Sequence, residues 1–230
     1  MGFFDILNKK TAEQYFDEGL NFAEHGRCSE AIASYDKALS INPNIAEAWN
    51  NRGNELSNLG RYSEAVASFD KAIAIGPVYY SAWMNRGIAL RRLGQYSDAL
   101  ASFDKALSFN PNIAEAWTNR GAALSNLGRY SEAVASYDKA IVINPDIAIT
   151  WSNRGNALRH LGQYSDELTS CDKALSINPN IAEFWNNRGT ALFELERYSE
   201  AVASYDKAIA IKPDYTEAKQ NRQIALNKLT

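Results

Sequence analysis

The sequence predicts an all-α solenoid of antiparallel helix pairs, and three observations on its rare residues carry that prediction. The five tryptophans, Trp49, Trp83, Trp117, Trp151 and Trp185, stand 34 residues apart. The six prolines, Pro43, Pro77, Pro111, Pro145, Pro179 and Pro213, keep the same period. Eleven of the thirteen glycines fall into two further series at that spacing, leaving only Gly2 and Gly76 outside them. Self-similarity at a fixed period of about 20 to 50 residues is the mark of a stacked array. The glycines are spoken for by the repeat, and no phosphate-cradling loop is left over.

Within one unit the elements follow in order. From Glu47 to Leu59, Ala48, Trp49, Gly53, Leu56 and Leu59 recur at helical spacing. Gly60 supplies a left-handed residue to end that helix, and Ser63 is placed to cap the next one. Ala65, Val66, Phe69, Ala72 and Ile73 form a second apolar stripe, which Pro77 closes because it cannot continue a helix. Asn44 with Glu47, Asn112 with Glu115 and Asn180 with Glu183 have the spacing of capping boxes. Gly53, Ala65 and Ala72 are small enough for two helices to approach closely, with Trp49 and Phe69 filling the remaining space. The expected organisation is an N-terminal apolar segment over 1–11, six repeats over 12–215 and a capping helix over 216–230.

Composition narrows the function classes. Of 230 residues, 46 % are hydrophobic and 22 % charged, enough apolar surface for a folded chain. A net charge of −3 argues against a nucleic-acid-binding surface. Charges scattered through every stretch leave no run of about 18 apolar residues to cross a membrane. The N-terminus lacks the features of a secretory signal, and Ile6 stands where a myristoylation motif would want Ser or Thr. Two cysteines, Cys28 and Cys171, make no disulfide framework, so a reducing, cytoplasmic setting is expected and both are read as small buried hydrophobes. Two distant histidines, His25 and His160, and the absence of metal-ligand spacings predict no catalysis, metal or cofactor.

The run Trp49-x-x-Arg52-Gly53-x-x-Leu56, Leu59-Gly60-x-Tyr62, Ala65, Phe69, Ala72 and Pro77 resembles the tetratricopeptide repeat, and the same pattern recurs in phase six times. The resemblance implies a right-handed superhelix in which the first helix of each pair lines a concave groove for a partner's extended or helical peptide. Departures from the family pattern are also visible. Arginine replaces the residue before the first glycine at Arg52, Arg86, Arg120, Arg154 and Arg188, and an Asp recurs on every second helix as a candidate partner. The fifth repeat carries Glu167 for an alanine and Cys171 for an aromatic, which predicts a local weak point or hinge. LGQYSD in repeats three and five, and NPNIAE opening two, four and six, suggest duplication of a 68-residue pair.

The implied groove residues are Asn51, Asn85, Asn119, Asn153, Asn187 and Asn221, one per repeat from the second onward. This ladder resembles the one in O-GlcNAc transferase, built from the same repeats; the alternative is that each amide simply holds a neighbouring helix. On the same face lie Asn50, Asn54, Met84, Ile88, Asn156 and Asn186, with Thr118, Ala122, Ser152 and Thr190. Arg91, Arg92, Arg159 and His160 form a candidate basic patch, or else complement helix C-termini. The lysines of a carboxylate clamp for acidic chaperone tails are absent: Asn50, Met84, Thr118 and Ser152, or Glu47, Ser81, Glu115 and Ile149, stand there. Lys219 and Gln223 replace the tryptophan and glycine in the seventh unit, which reads as a solvating cap and predicts a monomer. Phe3, Phe4, Ile6 and Leu7 read as an N-terminal cap on Phe16 and Leu20, or an anchor for a partner or membrane. The expected function is a non-catalytic scaffold, adaptor or assembly factor that binds another protein through a peptide. A repeat module of a larger enzyme complex, and a chaperone-like holder with little sequence preference, are the competing readings.

Overall fold

A computed structural model describes residues 10–230, and in it thirteen α-helices with no strand make up the described residues. The N-terminal cluster of Phe3, Phe4, Ile6 and Leu7 lies outside them. The chain divides into two compact units, one ending at Pro111 and one beginning at Asn112. The first holds α1 (Ala12–Glu24), α2 (Cys28–Ile41), α3 (Ala46–Asn58), α4 (Tyr62–Ile75), α5 (Tyr80–Arg92) and α6 (Tyr96–Phe109). The second holds α7 (Ala114–Asn126), α8 (Tyr130–Ile143), α9 (Ala148–His160), α10 (Tyr164–Ile177), α11 (Ala182–Glu194), α12 (Tyr198–Ile211) and α13 (Thr216–Leu226). Each 34-residue repeat is one helix pair, and in both units consecutive pairs pack in tandem.

The turn within a pair follows from one residue. Gly60 has φ 74°, and the next N–H, of Arg61, reaches back to the Leu56 carbonyl at 2.8 Å. This closes the helix with a left-handed residue that glycine adopts without penalty. In the sixth repeat Glu196 takes the same conformation, φ 58°, and Arg197 closes on Leu192 at 2.9 Å. The loop is therefore held by its hydrogen bonds even where glycine is missing.

The expected caps are not formed. Ile45, Ile113 and Ile181 occupy the N-cap positions of α3, α7 and α11, and none of these helices has a side-chain cap. Asn44, Asn112 and Asn180 stand one residue too early. The turn is instead ordered by the asparagine two places before: Asn44 N–H donates to Asn42 Oδ1 at 3.1 Å and Asn180 N–H to Asn178 Oδ1 at 3.1 Å. Ser63 likewise lies inside α4, whose N-cap is Arg61. There Arg61 pairs with Glu64 across one turn at 2.6 Å. Among the described residues the one capping box is at α1, where Thr11 and Gln14 exchange hydrogen bonds at 3.2 and 3.0 Å.

The two helices of a pair meet at a glycine. A methyl group added at Gly53, Gly87, Gly121 or Gly189 would sit 2.5 to 2.6 Å from the ring of Phe69, Phe103, Tyr137 or Tyr205. The rings are fully buried and Ala65, Ala72 and their equivalents are sealed beside them. The tryptophans are half-buried and serve a different purpose from core filling. Trp49, Trp83, Trp151 and Trp185 each donate Nε1–H to the carbonyl of the proline six residues earlier, at 2.8 to 2.9 Å. That strap explains why tryptophan and proline keep a common period.

Successive pairs are locked by the arginines. Arg52 Nε donates to Asp36 of the preceding repeat at 2.6 Å, and its Nη1 to Ser68 of its own second helix at 2.6 Å. Arg86 joins Asp70 to Ser102 in the same way, Arg154 joins Asp138 to Ser170, and Arg188 joins Asp172 to Ser204. Arg120 reaches Ser136 at 2.7 Å and Arg222 reaches Asp206 at 2.5 Å. The aspartate comes from the repeat before, so Asp70 serves Arg86 and not Arg52.

The fifth repeat breaks this pattern inside its core. Cys171 is buried and its Sγ lies 3.4 Å from where a Gly155 methyl would be, so the space of the missing ring is not refilled as tightly. Burial pushes its thiol up to about 12, which keeps it protonated and unreactive. Cys28 differs: it is only partly buried, so the reading of both cysteines as core residues holds for Cys171 alone. Glu167 is 0 % exposed and neither carboxylate oxygen has a hydrogen-bond partner. Its nearest cation is Arg159, at 3.9 Å. Burial raises its pKa to about 7, opposed by Arg159 and reinforced by Glu194.

Two expected outcomes follow from this packing. Gly121→Ala overpacks against Tyr137 and lowers stability by about 1–3 kcal/mol, whereas Gly155→Ala meets only ordinary contacts and gains helix propensity of up to about 1 kcal/mol; urea unfolding of the two variants reads the opposite signs. Glu167 holds more protons folded than unfolded between its ordinary range and about 7, so stability falls as pH rises through that window. Glu167→Gln removes the charge and keeps the shape, and it stabilises at pH 8 on the order of 3 kcal/mol while matching the parent at pH 4. A parallel shift at both pH values in thermal unfolding contradicts this assignment.

Candidate functional site

The asparagine ladder divides into committed and open members. In the first unit Asn50 is only 4 % exposed. Asn85 Nδ2 donates to Asn50 Oδ1 at 3.2 Å and to Asn54 Oδ1 at 2.9 Å, tying α5 to α3. Asn50 in turn donates to Asn51 Oδ1 at 3.3 Å. These four amides form one hydrogen-bonded chain. Met84 is buried beside them, and Ile88 is half-buried.

In the second unit the same register gives a different result. Asn186 is 1 % exposed, accepts from Asn221 Nδ2 at 3.2 Å and donates to Glu217 at 3.2 Å. Asn119 turns back to the Glu115 carbonyl of its own helix at 3.1 Å. Asn187 makes one long bond to Ser152 Oγ, 3.4 Å. Asn153 makes no side-chain hydrogen bond among the described residues and is half-exposed. The residue that would hold it, Thr118, is bonded to the Ala114 carbonyl at 3.0 Å and to Thr150 Oγ1 at 2.8 Å. An amide without a protein partner at such a position is available to a ligand's backbone.

Asn153 opens into a pocket of about 380 Å³ in the second unit. Ile149, Ser152 and Asn156 of α9 form one wall, Ile181, Glu183, Phe184 and Asn187 of α11 and its preceding turn another, and Tyr215 and Glu217 at the start of α13 close it. Phe184 is packed against Ala174, Leu175, Trp151 and Trp185, which fixes its ring in place. Ile149 is a large apolar side chain that stays 52 % exposed. Glu183 is exposed with Lys212 3.9 Å away, and Asn186 donates to Glu217 Oε1.

The basic residues belong to different surroundings. Arg159 faces the buried Glu167 and donates to Asn156 Oδ1 at 3.0 Å, while His160 stacks on Tyr130 with ring centroids 4.2 Å apart. Both are engaged within the second unit. Arg91 and Arg92 close α5 in the first. Among the described residues no group of three or more His, Cys, Asp and Glu side chains could hold a metal ion, and no helix is long and apolar enough to cross a membrane.

The pocket contains residues that the ladder did not single out: Ile149, Ile181, Glu183, Phe184, Tyr215 and Glu217. A signal for two of them was present. The second position of the repeat is Glu13, Glu47, Ser81, Glu115, Glu183 and Glu217 in every other unit, and Ile149 alone is apolar. The third position is alanine in four units and phenylalanine only at Phe184. Departures separated by a full repeat along the chain meet in one pocket.

The geometry of paired helices, the glycine–aromatic contact and the 34-residue register agree with sequence comparison. A tetratricopeptide repeat profile matches residues 16–79, 51–112, 84–146 and 118–180, and a second tetratricopeptide repeat profile matches 182–215. The chain belongs to the tetratricopeptide repeat family. No curated protein matches its sequence. Among solved structures it is similar to YrrB, described as a tetratricopeptide repeat protein with an unusual peptide-binding site, at 24 % identity and TM-score 0.70 over 82 % of this chain and 97 % of that one. It is similar to MamA from Desulfovibrio magneticus RS-1 at 21 % identity and TM-score 0.71, covering 74 % and 97 %. It also matches a chain of the Cut9–Hcn1 hetero-tetramer of APC/C at 18 % identity and TM-score 0.76, over 94 % of this chain but 43 % of that one. At these identities the likeness is one of fold.

The two kinds of asparagine separate in a stability measurement. Asn186→Ala removes a buried amide together with its bonds to Asn221 and Glu217 and lowers unfolding free energy by about 1 kcal/mol, whereas Asn153→Ala stays within about 0.5 kcal/mol of the parent. Denaturant titration of both single variants reads the difference, and equal losses contradict the distinction.

Proposed function

We propose that this protein is a non-catalytic scaffold that binds another protein by holding a peptide segment of it in the groove of the second unit. The observation that carries this reading is the pocket around Asn153, where an unpartnered amide, a weakly held one at Asn187 and a half-exposed Ile149 converge. Two primary amides suit the backbone of an extended peptide, since each offers donors and an acceptor without demanding a particular side chain. The volume of about 380 Å³ is that of a pocket for one or two side chains, with the rest of a peptide lying along the first helices. The first-unit amides, bonded to one another, act in this reading as braces between helices. The family's use of repeat arrays for protein interaction, and the peptide-binding site named for YrrB, favour the same conclusion.

The test is a selection of displayed peptides on the immobilised protein, followed by affinity measurement on the enriched sequences. The parent is expected to retain a defined set of peptides, and Asn153→Ala/Asn187→Ala to weaken them about 5- to 30-fold with helicity unchanged. A parent that enriches nothing, or a double variant that binds the same peptides equally well, overturns the proposal.

A further inference from the structure

We infer that the second-unit pocket selects a peptide in which an aliphatic or aromatic side chain stands beside a lysine or arginine. This rests on the proposed peptide-binding reading and gives the ligand its chemistry. Four of the seven second positions of the repeat lie in this unit, at Glu115, Ile149, Glu183 and Glu217, so an isoleucine interrupts a row of carboxylates. Ile149 keeps 52 % of its surface in water in a pocket that Phe184 also lines. An apolar side chain laid on that surface removes it from water, and each methylene so buried contributes about 0.8 kcal/mol.

Charge supplies the second half of the selection. The pocket lining holds two carboxylates, Glu183 and Glu217, and no cation. Lys212, at the margin, is a half-exposed lysine 3.9 Å from Glu183 Oε1, a separation at which an exposed pair contributes little. Glu217 is anchored by Asn186 through one oxygen, so its charge is fixed in direction and is not neutralised. A guanidinium or ammonium brought between these carboxylates gains from both. An acidic peptide is repelled. Asn153 and Asn187 would bond the backbone between the two side chains, setting the order in which they are presented.

The experiment uses the full chain and a positional-scanning library of fluorescent nonapeptides, with four proteins compared by anisotropy. The parent is expected to prefer an apolar residue adjacent to Lys or Arg and to weaken with salt. Ile149→Glu restores the residue that five other repeats carry at this exposed position, so the fold is retained; it is expected to lose at least 10-fold in affinity for those peptides. Glu183→Gln/Glu217→Gln, which keeps an acceptor for Asn186, is expected to abolish the preference for a basic residue and most of the salt dependence. A library that selects acidic or uncharged peptides overturns the inference. So do peptides that Asn153→Ala weakens while Ile149→Glu and the double glutamine variant leave untouched, and in that case peptide binding itself stands. If the parent retains no peptide, the binding reading falls and this inference with it.

Discussion

The fold depends on a contact with no room in it: a helix glycine pressed against the face of a buried ring one helix away. A methyl at Gly53 would reach within 2.5 Å of Phe69, and the same is true of Gly189 against Tyr205. Glycine in mid-helix is unfavourable by about 1 kcal/mol relative to alanine. Its recurrence here is explained by what the approach permits, namely complete burial of an aromatic side chain between two backbones. Where pairs close in this way, consecutive pairs within a unit present similar surfaces to each other, and tandem stacking follows.

Stacking itself is polar as well as apolar. The guanidinium of Arg52, Arg86, Arg154 or Arg188 spans from the aspartate of one repeat to the serine of the next, so a planar donor fixes spacing and orientation together. Exposed ion pairs usually contribute little, but here the arginine stems lie within the helix interface and every arginine has its serine or aspartate in place. The tryptophan strap to the proline carbonyl fixes the turn between repeats in a similar manner. With the arginines and the buried asparagines used in this way, few polar groups on the first helices remain for a ligand.

The fifth repeat stands apart twice. On its second helix, Glu167 and Cys171 replace a small residue and a ring, leaving a buried carboxylate that only Arg159 approaches. On its first helix, Ile149 stands where five repeats have glutamate and Thr150 where four have alanine, and Thr150 engages Thr118, so that Asn153 lacks the partner that Asn85 and Asn221 have. Weak internal packing and an open pocket therefore occur in the same helix pair. Binding a ligand there would supply contacts that the repeat itself lacks.

The architecture was almost wholly legible in the letters, because period is a one-dimensional property. Tryptophan, proline and glycine at 34-residue spacing specify helix lengths, turn positions and the order of pairs. The caps fall elsewhere than the spacing rule puts them: Asn44 stands one residue before the N-cap Ile45, and Ser63 two residues after the N-cap Arg61. The site was half legible. Sequence placed every Asn51-type residue at the right register, but whether an amide is open depends on what a neighbour 35 residues away does with its own side chain. Asn50 accepts from Asn85, whereas Thr118 turns to Thr150 and leaves Asn153 free. That choice is made by packing in three dimensions, and so is the meeting of Ile149 and Phe184 in one pocket. The sequence alone determined the repeat; the tertiary structure decided which of its copies is unoccupied, because hydrogen-bond satisfaction is a property of neighbours in space.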